Sequence, residues 1–389
     1  VRVGGIAATV SKMCLGNGVG INFSRSLQRD DLFKADYGTF ILEVPAGTDV
    51  SATLEGTGYY ELGETTLVPS IVCGQVVFTL QEIERAWREP LEKIFPTEVK
   101  ALGTVPPAAL YTTGPRVSAA ASYAKPRVLI PVFPGTNCEY ESARAFQRAG
   151  ARVDTLVIRN RTPQAIAETV EALAKGIREA QILMLPGGFS GGDEPDGSGK
   201  FIAAMFRNPR LRETVMSHLY RKDGLILGIC NGFQALVKLG LLPYGEIRDL
   251  TGDSPTLTFN TLGRHFSGMV QTRVVSNLSP WLSGTVPGAL HTVAASHGEG
   301  RFVADREVIA SLRVRGQIAT QYVDEVGNPT MDIPYNPNGS AYAIEGITSP
   351  DGRILGKMGH SERIGENIAV NIPGDKDQKI FEAGVKYYS

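Results

Sequence analysis

Cys230 stands in GICNG, with Gly228 two residues before it and Gly232 two residues after. This is the form of a nucleophile elbow, G-x-S-x-G, with sulfur in place of oxygen. Residues 225–229 read as a short buried strand and 233–239 as the start of a helix, so the thiol falls on the turn between them. A strand that turns at once into a helix strains its middle residue, and flanking glycines avoid clashes between the two elements. The side chain then projects at the helix N-terminus, where unpaired N–H groups favour thiolate over thiol. The Asn231 N–H is placed to face an oxyanion. Most buried cysteines only pack; the paired glycines are what favour chemistry here.

A thiol nucleophile wants a base, and the chain has five histidines. His218 lies in a polar helical stretch, SHLYRKD, and reads as a surface residue; His265 and His291 lack catalytic neighbours and read as structural. His297 in SHGEGRF and His360 in GHSER each have a glutamate two residues on, Glu299 and Glu362. In an extended segment such positions share a face, so either carboxylate could orient its imidazole. Spacing does not choose between them; position after the last strand of the sheet favours His360. PGGFSGGD (186–193) offers glycine N–H groups for a second side of an oxyanion hole, and Gln234, one turn beyond Cys230, could bind a polar substrate group or simply face solvent. DGSGK, ending at Lys200, fails as a phosphate loop: Glu194 stands where the first glycine belongs, and Phe201 follows the lysine. No Cys/His set has zinc-finger spacing.

The elements around these residues set the fold class. From 126 onward the chain alternates continuous apolar strands (RVLIPVF, RVDTLVI, QILMLPGG, GLILGIC) with helices (TNCEYESARAFQRAG, and PQAIAETVEALAKGIREA opened by Thr162 and Pro163). That pattern predicts an α/β fold with a mostly parallel sheet covered on both faces and sites at the carboxyl ends of its strands. Shorter strands follow residue 255, ending in AYAIEGITSPDGRILGKMGH with Asp351-Gly352 as the turn. Residues 1–99 form a separate α+β unit, with a helix in GGIAATVSKMCLG, strands in GTFILEVP and SIVCGQVVFTL, and a helix in LQEIERAWREPLEKIF. A Pro/Ala/Ser/Thr-rich linker, 100–125, separates it from 126–389 and could lie across another surface.

Composition narrows the class further. The 389 residues, 42% hydrophobic, suffice for two cores. With 39 basic and 40 acidic residues, a net charge of -1 gives no support to a nucleic-acid or membrane partner. Cys14, Cys73, Cys138 and Cys230 show no disulfide framework, which predicts a reducing, cytoplasmic location. The opening VRVGGIAATVSKM has neither an initiator Met nor signal-peptide architecture, so the chain reads as a fragment of a longer polypeptide.

GICNGFQAL, LPGGFS and GHSER together resemble the class I (triad) glutamine amidotransferases, flavodoxin-like α/β enzymes. FPGTNCEYE, PGGFSGGD, GICNGFQ, SHGEGRF, YNPNGS and GHSER, in that order over most of 126–389, are similar more narrowly to phosphoribosylformylglycinamidine synthases of purine biosynthesis. GGIAATVSKMCLGNGVG and LFKADYGTFILEVP resemble the end of the synthetase region in the single-chain form, a domain like the C-terminal part of aminoimidazole ribonucleotide synthetase. The resemblance implies Cys230 as nucleophile, His360 as proton shuttle, Glu362 as its orienting group, and Gly188 and Asn231 N–H groups as oxyanion hole. It implies substrate glutamine bound by Gln234, with Gly187 and Phe189 beside it, and the His297 loop lining either that pocket or a domain contact. The resemblance further implies that no cofactor serves the glutaminase step and that ATP and Mg²⁺ act in the remaining synthetase region, outside this chain, on formylglycinamide ribonucleotide. The family's His-Pro-Glu-Arg is here His360-Ser361-Glu362-Arg363, which implies a less rigid turn. A DJ-1/PfpI-type cysteine hydrolase shares the elbow but lacks the final His-x-Glu, and a non-catalytic scaffold has no need of all three residues.

Overall fold

A computed structural model describes the chain apart from residues 25, 26, 95, 98–104, 107, 108, 116, 118, 193–197 and 334. The expected junction at 99/100, the start of the linker, and Asp193 and Glu194 lie outside the described residues. The polypeptide divides into two compact units, Val1–Thr97 and Glu98–Ser389.

In the first unit, helix Gly5–Asn17 packs Ile6, Val10 and Cys14 into a core shared with Ile21, Phe23, Ile71 and Leu80. Ser70–Cys73 and Val76–Thr79 form the hairpin that SIVCGQVVFTL predicts, and two strands missed in the sequence, Gly20–Phe23 and Gly63–Thr66, complete a four-stranded sheet. Helix Leu80–Glu92 starts at a capping box in which the Thr79 hydroxyl accepts the Glu82 N–H. GTFILEVP is not a strand. Its alternating Phe40, Leu42 and Val44 are exposed, and no strand among the described residues supplies it with a ladder; alternation alone does not make a sheet.

The main sheet of the second unit has nine strands, β1 Arg127–Val132, β2 Arg152–Val157, β3 Ile182–Leu185, β4 Leu225–Ile229, β5 Phe266–Val274, β6 Leu290–His297, β7 Ile318–Tyr322, β8 Ile344–Thr348 and β9 Ile354–Lys357, beside a two-stranded pair, Thr256–Thr258 and Arg301–Val303. Their spatial order is β6-β5-β7-β8-β9-β4-β3-β1-β2. β9, β4, β3, β1 and β2 are parallel, as the apolar strands predicted. The other half is antiparallel, from the β8/β9 hairpin outward, so the sheet is mixed. β8 returns into β9 through a tight hairpin and β5 into β6 through a longer loop, while β6 reaches β7 by way of helix Arg306–Arg315 and pairs with β5 instead. β3 and β4 are buried at every position because helices cover both faces.

Helix α1, Glu139–Arg148, carries Glu139 and Glu141 in its first turn and Arg148 in its last, matching its dipole. In α2, Pro163–Glu179, the Thr162 hydroxyl accepts the Ala165 N–H. Phe146 of α1 is fully buried edge-on against Phe381 and Trp281, centroids 4.9 and 6.2 Å away. Phe146→Ala should cost about 3–5 kcal/mol, since the site lies under a sheet and cannot collapse. Urea unfolding with an unchanged m-value checks this; a loss below about 1 kcal/mol would contradict the packing.

The described part of the 100–125 segment runs along this same unit. Tyr111 bridges Ser276, the Tyr123 N–H donates to Tyr388 O at 2.7 Å, and the Tyr342 hydroxyl donates to Pro106 O at 3.0 Å. His218 corrects its sequence reading: it is buried on helix Pro209–Arg221, its ring against Gly224, and burial pushes its pKa down to about 4. No helix among the described residues is long and apolar enough to cross a membrane.

Candidate active site

Cys230 sits between β4 and helix α3, Asn231–Leu239, with φ 52° and ψ −107°. Positive φ is costly for a residue with a side chain, and such strain persists only where the surroundings impose it. Here they do. A Cβ at Gly232 would lie 1.9 Å from Leu185 O, and one at Gly228 would lie 2.5 Å from Leu236 Cδ1 and 2.8 Å from the Gly232 backbone. The Cys230 N–H is held by Lys357 O at 2.9 Å, and its thiol points at Ser296 O, 3.7 Å away.

His360 follows β9 and donates its N–H to Ala294 O on β6 at 2.7 Å. Its Nδ1 lies 2.6 Å from Glu362 Oε1, both side chains being essentially inaccessible to solvent. Burial presses the imidazole pKa down, but the Glu362 charge and hydrogen bond, with the nearby Cys138 and Cys230 sulfurs, outweigh it and hold the group well above its usual range. Burial would likewise raise Glu362, yet the His360 charge and hydrogen bond keep it low. The two are therefore a charged pair. His360 Nε2 makes no hydrogen bond among the described residues, leaving it for the thiol side of the site.

The second His-x-Glu does not assemble. The Glu299 carboxylate accepts the Ser198 N–H at 2.8 Å, and neither His297 nitrogen has a partner among the described residues. Burial first, then the charges of His360 and His265, push His297 down to about 3, so it is neutral. It remains beside the site: Ser296, which precedes it, carries the carbonyl facing Cys230. Its loop is braced by polar side chains. Asn260 donates to His297 O at 2.9 Å and Asn338 to Gly300 O at 2.8 Å, while the Ser340 hydroxyl accepts the Phe302 N–H. Bracing is thus what the YNPNGS segment contributes.

The strand-end glycines close on the same point. A Cβ at Gly187 would meet His360 Cε1 at 2.9 Å, Cys138 Sγ at 3.2 Å and Cys230 Cβ at 3.4 Å. Gly188 adopts φ 137° against the 135–137 backbone. The Phe189 N–H is spent on Gly135 O at 2.9 Å, and its ring is half-exposed beside His265. Gln234 does not face solvent: it is buried, accepts from Asn231 Nδ2 at 3.1 Å and donates to Glu299 O. Ser361, in place of proline, is buried and donates to Gln378 Oε1 at 2.5 Å, so a hydrogen bond restrains the turn.

Two neighbours were missed in the sequence. Cys138 Sγ is 3.9 Å from His360 Nδ1 and receives a hydrogen bond from Arg363 at 3.2 Å. Its position in the loop after β1, at a strand carboxyl end, was the available signal. Ligand atoms of Cys138, His360 and Glu362 lie within 4.8 Å of one another, the one such set among the described residues. The arginine on the thiol and the tight His–Glu hydrogen bond already occupy those atoms.

A strained thiol on an elbow, a buried His–Glu pair near it and glycine backbone beside it form the kind of arrangement that cysteine-triad acyl-transfer enzymes use. The sequence pattern of the CobB/CobQ-like glutamine amidotransferase domain matches residues 125–388, and the chain belongs to that family. Among its relatives, phosphoribosylformylglycinamidine synthase subunit PurQ of Methanococcus maripaludis strain C7 is 37% identical over 244 residues, 61% of this chain and 82% of the relative. PurQ of Treponema denticola is 33% identical over 284 residues, 68% and 99% respectively. A solved structure, PurLQS from Thermotoga maritima, is 25% identical with TM-score 0.50, covering 68% of this chain and 100% of the other.

Proposed function

We propose that this chain is the glutaminase part of a phosphoribosylformylglycinamidine synthase. The His360–Glu362 pair, 2.6 Å apart beside the Cys230 elbow, carries that reading together with the PurQ likeness. The Cys230 thiolate attacks the carboxamide carbon of glutamine. N–H groups of Gly188 and Asn231 hold the oxyanion; no protein acceptor for the Gly188 N–H occurs among the described hydrogen bonds, which supports its role. His360 protonates the departing nitrogen, ammonia leaves, and a thioester remains. His360 then takes a proton from water, which attacks the thioester and releases glutamate. Glu362 keeps the imidazolium oriented. Gly187, Phe189, Gln234 and His297 line the glutamine site, Gln234 by holding Glu299 O and Asn231 in place rather than through a free amide.

This step requires no cofactor. The ammonia serves an ATP- and Mg²⁺-dependent conversion of formylglycinamide ribonucleotide in the remaining synthetase region, the partner of this chain in a cytoplasmic enzyme. Residues 1–97 are proposed as part of that region, like the C-terminal part of aminoimidazole ribonucleotide synthetase. Glutamate release from glutamine is the test, beside Cys230→Ala, which should lower kcat by at least ~10⁴-fold without changing the far-UV spectrum. Release that survives Cys230→Ala would refute the assignment.

A further inference from the structure

Lys357 and Glu345 form an ion pair 3.1 Å apart at essentially zero exposure, and the chemistry above does not use it. Lys357 ends β9 and pairs in parallel register with Ile229, the residue before Cys230; Glu345 lies on β8. One oxygen of Glu345 accepts the Gly359 N–H at 2.6 Å, and Lys357 Nζ donates to Gly359 O at 2.8 Å. The other Glu345 oxygen accepts the Thr320 hydroxyl, and Glu345 O accepts the Met358 N–H at 3.1 Å. Both peptide groups of Gly359 are thereby pinned immediately before His360. A Cβ at Gly359 would meet Glu345 Oε1 at 2.8 Å and Lys357 Nζ at 3.1 Å, so the clamp closes around a residue with no side chain. Lys357 O, meanwhile, holds the Cys230 N–H at 2.9 Å.

A buried pair of charges adds little stability over apolar side chains of the same shape, because desolvation offsets the attraction. What this pair does supply is direction, since its two side chains hold both the N–H and the C=O of the one glycine that precedes His360, while Thr320 and Met358 in turn anchor Glu345. We propose that Lys357 and Glu345 are positioning residues for the triad, fixing His360 through Gly359 while the Lys357 backbone fixes Cys230. The proposal rests on the glutaminase reading of Cys230 and His360.

The test is the double variant Lys357→Met/Glu345→Gln, which removes both charges together and leaves no lone buried ion. Two readouts are taken on the whole chain: glutamine turnover, and the rate of Cys230 alkylation by iodoacetamide at neutral pH, located by mass spectrometry. We expect kcat to fall about 10–100-fold and alkylation to slow by a similar factor, from loosened geometry alone. KM should stay within roughly threefold. The urea midpoint should move little. Thr320→Val, which removes one anchor of Glu345 at nearly constant volume, should give a smaller loss of the same kind and decides the matter if the double variant does not fold. Unchanged alkylation and kcat in the folded double variant, or in Thr320→Val should that alone fold, would overturn the proposal. If the unsubstituted chain releases no glutamate, the functional reading fails while alkylation still reports on the clamp.

Discussion

Glu362→Gln should lower kcat by about 10³–10⁴-fold while the fold is retained. The substitution is isosteric, so the loss is electrostatic and tautomeric. An amide can offer its N–H₂ to Nδ1, which places the imidazole proton on the wrong nitrogen to accept one from the thiol. It also removes the charge that outweighs burial at His360, so the imidazole reverts to a neutral group in a dry site. The pH dependence follows from the directions of the two shifts. His360, raised above its ordinary 6.5, contributes stability that is complete below that pH and lost as pH rises through its folded value. Glu362, lowered from 4.5, contributes stability that is complete above that pH and lost as pH falls through its folded value. The pair therefore stabilises the fold most between those two limits, and Glu362→Gln should flatten both limbs of a plot of urea midpoint against pH. A pH profile with both limbs unchanged would mean that the His360–Glu362 contact carries no charge.

Gly232→Ala should be more damaging to the protein as a whole. The added methyl would sit 1.9 Å from Leu185 O and 2.6 Å from Leu185 C, atoms of β3 backbone that no rotamer change can move. Helix α3 would have to lift from β3 and β4, carrying Cys230 with it. The loop that follows Leu185 holds Gly187 and Gly188, so both sides of the site shift together. A loss of at least about 4 kcal/mol is expected, or failure to fold, with no measurable glutaminase activity in either case. Gly252→Ala is the matched control: nothing lies within 4 Å of its Cβ position, and stability should change by less than about 0.5 kcal/mol. Comparable behaviour of the two variants in chemical denaturation would refute the elbow packing.

The features legible in the sequence were local ones. Gly228-x-Cys230-x-Gly232 foretold the elbow because a strand-to-helix turn imposes its glycines within five residues. The apolar strands of the parallel half were readable because both-face burial removes alternation, and the β8/β9 hairpin because Asp351-Gly352 marks its turn. His360 and Glu362 share a face at a spacing of two. His297 and Glu299 have the same spacing, however, so spacing could not rank them and only position after the last strand favoured His360. Tertiary structure shows what separates them physically, turning Glu299 to Ser198, 101 positions away in the chain, and leaving His297 neutral. The same limit explains the rest. GTFILEVP has the alternation of a strand but no neighbouring strand among the described residues, and His218 has polar sequence neighbours but a buried ring. Cys138 meets His360 across 222 positions, and the Glu345–Lys357 clamp joins two strands through one glycine. Spacing fixes which side chains one element presents together; which elements meet, and hence which charges are desolvated and paired, is set only when the chain packs.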